Sequence, residues 1–235
     1  MSNWEFIILA AAPLLGGAAA LLAQIRKEEY YKLVLSFSGS FLFCVTILHL
    51  FPEVFHYNLS AGPFLLLGFF IQILLEQLTR GIEHGHFHRH EENPVFIFSL
   101  VAGLSIHSFL DGIPVSIKHL EQIGNHSLLY GIALHKIPEG FAMASIFLYS
   151  KYKKITVVMV LLLFSLVAPA GALISSYLQD INSSFFTILI AIVAGSFLHI
   201  STTILFESES TGGHNLSYKK IITIILGAGI SMLTI

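Results

Sequence analysis

The sequence predicts an all-α, polytopic membrane protein with eight transmembrane helices. Three observations carry that reading: the share of apolar residues, the length of the apolar runs, and the placement of Lys and Arg. Of 235 residues, 55% are hydrophobic and only 11% are charged, against about 25% charged in an ordinary soluble domain. A soluble fold of this size could not cover so much apolar surface. A transmembrane helix takes roughly 20 apolar residues. Eight of them with short connections use up residues 1–235 as a single transmembrane domain.

The apolar runs lie at about 4–24, 33–51, 63–80, 95–117, 127–149, 155–178, 185–206 and 219–235. Turn-forming residues separate them, among them Asn58 to Pro63, Gly124-Asn125, Gln179 to Ser184 and Gly212-Gly213. The first run follows Met-Ser-Asn-Trp-Glu, which lacks the basic start of a signal peptide, so it counts as a span. A polar connection of about residues 81–94, rich in His, joins the third and fourth spans.

Lys and Arg concentrate on the cytoplasmic side of short loops. Arg26, Lys27 and Lys32 lie in the first connection, Arg80 and Arg89 in the third. Lys151, Lys153 and Lys154 lie in the fifth, and Lys219 and Lys220 in the seventh. Ten of the twelve basic residues thus fall in odd connections. Lys118 alone lies in an even one, and Lys136 lies inside a span. Odd connections are therefore expected in the cytoplasm and both termini on the non-cytoplasmic side. The net charge of −2 and the absence of a basic cluster argue against nucleic acid as a partner. A single cysteine, Cys44, excludes an internal disulfide and reads as a small packing residue.

Two short patterns recur at one offset. Gly39-Ser40-Phe41-Leu42 in the second span matches Gly195-Ser196-Phe197-Leu198 in the seventh, 156 residues later. Ala12-Pro13 in the first span matches Ala168-Pro169 in the sixth, again 156 later. Elements five spans apart run in opposite directions through a bilayer. The matches therefore predict an inverted repeat flanking spans four and five, an arrangement that places transporter sites at the midplane.

Ionisable groups at bilayer depth are costly, so each is a functional candidate. Span four contains His107-Ser108-Phe109-Leu110-Asp111-Gly112-Ile113-Pro114, and span five His135-Lys136-Ile137-Pro138-Glu139-Gly140. Both carry His-x-x-x-acid-Gly near mid-span. A spacing of four puts imidazole and carboxylate on one helix face. Together His107, Asp111, His135 and Glu139 offer a four-donor N/O site suited to Zn²⁺ and, less selectively, to Fe²⁺, Mn²⁺ or Cd²⁺. Two carboxylates also cancel the charge of a divalent ion. Pro114 and Pro138 withhold N–H donors from the Leu110 and Leu134 carbonyls. Gly112 and Gly140 are expected to let the two helices approach closely. The plainer reading is a His–carboxylate network that only ties two helices together; the repetition of one pattern at equal depth argues against it.

These two segments resemble the metal-site helices of the ZIP (Zrt/Irt-like) metal-ion transporters. Eight spans, outward termini and a His-bearing loop between spans three and four also fit that family. The resemblance implies a 3+2+3 arrangement with inverted outer triplets, and uptake of Zn²⁺ or a similar ion as the transported substrate toward the cytoplasm. It also implies that His107, Asp111, His135 and Glu139 form the primary metal site. At the positions of the family's adjacent second site stand Ser108, Lys136 and Ala168. Those departures imply a mononuclear site, with the Lys136 ammonium in the space of a second cation. The partners are then the lipid bilayer and divalent metal ions, with a homodimer allowed.

Secondary candidates flank this site. His49 and Glu53, at the outer end of span two with Pro52 between them, could form an outer metal station or an ordinary interfacial helix end. His84, His86, His88 and His90 in the third connection could hold metal near the exit, or belong to a solvated linker. His199 and Glu207 in span seven could extend the inner path. Gln72 and Glu76 in span three read as interhelical hydrogen-bonders. The rival from another class is an intramembrane zinc-dependent hydrolase, with His107, His135 and Glu139 as ligands and Asp111 as base. The repeat and the symmetrical site favour transport, so the chain is not expected to be an enzyme.

Overall fold

The computed structural model describes residues 2–23, 28–82, 93–117, 126–206 and 217–234. Among them the chain forms eight helices and no strand. They are α1 (Asn3–Ala23), α2 (Tyr30–His56), α3 (Gly62–Thr79), α4 (Pro94–Ser116), α5 (Ser127–Tyr149), α6 (Lys154–Ile181), α7 (Ser183–Phe206) and α8 (Tyr218–Leu233). Six of them are long and apolar enough to cross a bilayer. The other two are α8, which has 16 residues, and α5, which carries His135, Lys136 and Glu139. Its neighbours cover most of α5, and protein rather than lipid around a helix makes polar groups at bilayer depth tolerable.

The helices form two groups of four. In one, α1 packs on α5, α4 on α6, and α1 on α6; in the other, α3 packs on α7, α8 on α2, and α2 on α7. The tightest approaches within each group are backbone to backbone, at glycines. A Cβ on Gly16 would sit 1.8 Å from the Ile137 carbonyl oxygen, and one on Gly140 2.0 Å from that of Pro13. The α4–α6 pair repeats this reciprocal contact, with Gly112 over the Ala168 carbonyl and Gly171 over that of Phe109. Gly68 and Gly195 make it again between α3 and α7. Small residues at such crossings let backbones close up where no hydrophobic effect drives helices together.

Two expectations are corrected here. Gly112 and Gly140 do not bring α4 and α5 together; they face away from each other, onto α6 and α1. The equivalences between the halves also run at an offset of 155 rather than 156. Pro13 corresponds to Ala168, Gly16 to Gly171, and the Phe37 carbonyl under Gly227 to the Ile192 carbonyl under Gly68. A one-residue slip is easily made where helices are built from Gly, Ala, Ser and Leu, because neighbouring registers share letters.

The contacts between groups are of another kind. They run through side chains: Ser99 Oγ donates to the Leu78 carbonyl at 3.2 Å, Ser127 Oγ donates to the Thr234 carbonyl at 2.7 Å, and the Arg80 guanidinium lies 4.8 Å from the Phe96 ring centroid.

Helix α2 departs from α geometry at Thr46–Leu50, which is a π turn. There the Phe51 N–H reaches back five residues to the Thr46 carbonyl, and Pro52 next to it has no N–H to give. The cause is visible in the burial pattern. Phe41 and Leu42, Val45 and Thr46, His49 and Leu50, Glu53 and Val54 are all buried, in pairs spaced by four. A regular helix would rotate such a stripe by ~40° per step, ~120° over three steps. One inserted residue is worth ~100° and turns the stripe back toward the core.

Exchanging Gly16 or Gly112 for Ala should lower stability by about 1–3 kcal/mol, the usual cost of overpacking, because backbone cannot yield as a side-chain tip can. Gly229→Ala, with open space around the added methyl, should be neutral or stabilising. Thermal denaturation of the three purified variants in one detergent checks the contrast.

Candidate metal centre

Helices α4 and α5 cross so that the His of one lies level with the acid of the other. His107 Nε2 is 3.1 Å from Asp111 Oδ2 on its own helix and 4.0 Å from Glu139 Oε1 across the crossing. Donor atoms of His107, Asp111 and Glu139 all lie within 4.8 Å of one another, and all three residues are buried. The His135 ring stands nearly perpendicular to that of His107, at 5.9 Å between centroids. The structure thus brings three of the four expected donors into one cluster and sets the fourth beside it. One imidazole and two carboxylates suit a borderline divalent cation.

Lys136 occupies the same pocket. Its side chain has no exposed surface. Its Nζ contacts Asp111 Oδ2 and lies 2.5 Å from Glu139 Oε2. The sequence reading set this ammonium beside the primary carboxylates, in place of a second cation; here it bridges the primary carboxylates themselves. Of the other second-site positions, Ser108 is buried and Ala168 supplies the backbone carbonyl that packs under Gly112.

Local backbone explains why α4 presents these groups. Asn93 caps its start, the side chain accepting from the Val95 N–H at 2.9 Å, with Pro94 in the first turn. The helix tightens to 3₁₀ at Ile113–Ser116. In that turn the Ile113 N–H donates to the Leu110 carbonyl, so Pro114 does not leave this carbonyl free as its position suggested. The Ile113 carbonyl accepts from Ser116 Oγ at 3.0 Å and Ser175 Oγ at 2.8 Å. These two hydroxyls, in contact with each other, tie the end of α4 to α6.

The secondary candidates separate. His49 and Glu53 are buried on α2, and Glu53 borders a small cavity with Val54, Ile117 and Phe186. His199 pairs with Glu76 of α3, Nε2 to Oε2 at 2.8 Å, one turn beyond Ser196 Oγ donating to Gln72 Oε1 at 2.8 Å. Gly68 with Ile192, Gln72 with Ser196 and Glu76 with His199 ascend together, so α3 and α7 are parallel. Gln72 and Glu76 are the interhelical hydrogen-bonders expected. Glu207 and the loop residues His84, His86, His88 and His90 lie outside the described residues.

One pair escaped the sequence reading. Glu5, buried in the first turn of α1, meets His126 at the start of α5 at 3.2 Å, with the Trp4 ring edge-on to the imidazole. A carboxylate just inside an apolar run was the available signal; its partner, 121 residues away, left none.

Comparison with known proteins finds zinc transporters among the similar sequences. The zinc transporter ZIP9 of Micropogonias undulatus is 26% identical over 199 residues, covering 73% of this chain and 63% of that protein. The protein zntD of Dictyostelium discoideum is 28% identical over 163 residues, 63% of this chain and 24% of that protein. A ZIP9 zinc transporter of Macaca fascicularis is 24% identical over 152 residues. The chain therefore spans less than two thirds of the length of the first two relatives. The family profile described as ZIP zinc transporter matches residues 83–235, which take in α4 to α8 and every residue of the proposed primary site, and the chain belongs to the ZIP zinc transporter family.

Proposed function

We propose that this chain is a single transmembrane domain that carries a divalent transition metal toward the cytoplasm, Zn²⁺ in the first place, with Fe²⁺, Mn²⁺ and Cd²⁺ as the alternatives. The observation that carries the reading is the buried cluster of His107, Asp111 and Glu139, with His135 beside it. Lipid offers an ion no ligands, so a path across a bilayer needs an internal site whose donors replace water and whose charge offsets that of the ion. Two carboxylates and an imidazole from facing helices supply both. The relatives named zinc transporters support Zn²⁺. The inward direction follows the resemblance to the metal-uptake family, and the biased placement of Lys and Arg supports both termini outside. The hydrolase alternative has no support from this family, whose members are transporters.

On this reading one ion binds at a time, between α4 and α5. His49 and Glu53 stand on the outer approach, the latter facing its cavity. The pairing of His199 with Glu76 favours a role in joining α3 to α7 over one on the inner path. The side-chain contacts between the two helix groups can be exchanged more cheaply than the glycine crossings within them, so sliding of one group against the other is the motion the packing allows.

Purified protein should hold one tight metal per chain after loosely bound ions are chelated. His107→Ala, Asp111→Asn and Glu139→Gln should each weaken it by at least about tenfold. Elemental analysis and equilibrium binding measure both, and two tight metals in the membrane domain would refute the mononuclear reading.

Replacing His84, His86, His88 and His90 together by Ala should leave uptake within about twofold of the parent, because loop ligands are weak and replaceable. Uptake of a divalent-metal panel into proteoliposomes decides this. Loss of transport in a correctly folded loop variant would assign the loop an essential part.

A further inference from the structure

We propose that Lys136 is a tethered competitor of the transported metal: its ammonium holds the carboxylate oxygens of the primary site between transport events and must withdraw for the ion to bind. This deepens the function proposed above and rests on the ion binding at His107, Asp111 and Glu139.

The ammonium and the metal would share atoms. Asp111 Oδ2 is 3.1 Å from His107 Nε2 and is also the oxygen that Lys136 Nζ touches. The same nitrogen reaches Glu139 Oε2, on the carboxylate whose other oxygen faces His107. A metal seated among these donors would make bonds of about 2.0–2.2 Å to the same carboxylates. An ammonium hydrogen-bonded to them would then stand against a divalent charge in a water-poor pocket. Repulsion at such range in a low dielectric is severe, so the two cations exclude each other from these oxygens.

Charge balance gives the exclusion a use. Two carboxylates alone would leave an empty pocket formally doubly negative at the centre of an apolar bundle. Lys136 cuts that to a single negative charge, which lowers the cost of the empty state. With metal present the balance reverses. The carboxylates alone would neutralise the ion, and the nearby ammonium adds one positive charge. Lys136 therefore steadies the empty site and loosens the loaded one. It keeps the pocket from becoming a trap, and it returns to the carboxylates as the ion leaves. Lysine suits this task because its ammonium is a compact point charge on a flexible stem. Arginine would grip both carboxylates with a planar fork and be harder to displace.

Binding and release of Zn²⁺ and Cd²⁺ test the proposal on the purified full chain, by competition with a chromogenic chelator and by stopped-flow release into excess chelator. Lys136→Met should bind one metal at least about tenfold more tightly and release it correspondingly more slowly. Lys136→Arg should bind no more tightly than the parent. Unchanged or weaker binding in Lys136→Met, with binding lost in Glu139→Gln, overturns the competitor and leaves the site standing. A second tight metal in Lys136→Met also overturns it, by assigning Lys136 to a neighbouring cation position. Parent-like affinity in both His107→Ala and Glu139→Gln removes the site reading, and this proposal with it. Should Lys136→Met fail to fold, Lys136→Gln keeps a hydrogen-bond donor without the charge. A larger rise in melting temperature on metal addition than the parent shows is expected of it, and an equal or smaller rise overturns the proposal.

Discussion

The ion triad of Lys136 with Asp111 and Glu139 sets the terms for the rest of the structure. Three formal charges sit buried together, and close contact with one another offsets much of the desolvation of each. That demand constrains the crossing of α4 and α5 closely, since a charge pulled out of contact would be costly. A crossing between two helices with sparse mutual packing cannot hold such tolerances by itself. It is braced from outside: α1 closes on α5 and α6 closes on α4, each through reciprocal glycine contacts at about the depth of the triad.

The bracing has a matching counterpart in the other four helices, which carry the same glycine-to-carbonyl contacts between α3 and α7 and between α8 and α2. The molecule is thus two internally tight units meeting along side chains. Within the first, the Ser116–Ser175 hydroxyls and the Glu5–His126 pair add polar ties at points away from the triad. Within the second, Gln72–Ser196 and Glu76–His199 do the same along the α3–α7 seam. Polar ties inside each unit, together with backbone contact, make each a stiff body around which lipids and the partner unit can rearrange.

Much of this was legible in the sequence. The spans follow from apolar run length, and each predicted run coincides with an observed helix. The four candidate site residues follow from a repeated His-x-x-x-acid spacing, and the structure gathers three of them within one donor cluster with the fourth alongside. What escaped was azimuth. A run that is apolar all round does not say which way a glycine faces, so the partners of Gly112 and Gly140, on α6 and α1, are not readable from it. In α geometry Pro114 would leave the Leu110 carbonyl without a donor, and a 3₁₀ turn supplies one from Ile113. Lys136 is expected beside the primary carboxylates in the space of a second cation; that it bridges them depends on side-chain reach, which residue spacing does not convey. The four-residue spacing of buried pairs from Phe41 to Val54 was on view throughout, and it specifies the π turn.

That turn behaves as a dislocation in an otherwise regular rod. Toward the start of the helix its wide hydrogen bonds can pass to the neighbouring turn one at a time, each exchange trading an i to i−5 bond for an i to i−4 bond, whereas Pro52, with no N–H, blocks the other direction. Moving the defect by one turn swivels only the residues it passes and leaves both ends of α2 where they were. His49 lies within the defect and Glu53 just beyond it. A backbone fault thus separates the half of α2 that carries both residues from the half packed on α8 and α7.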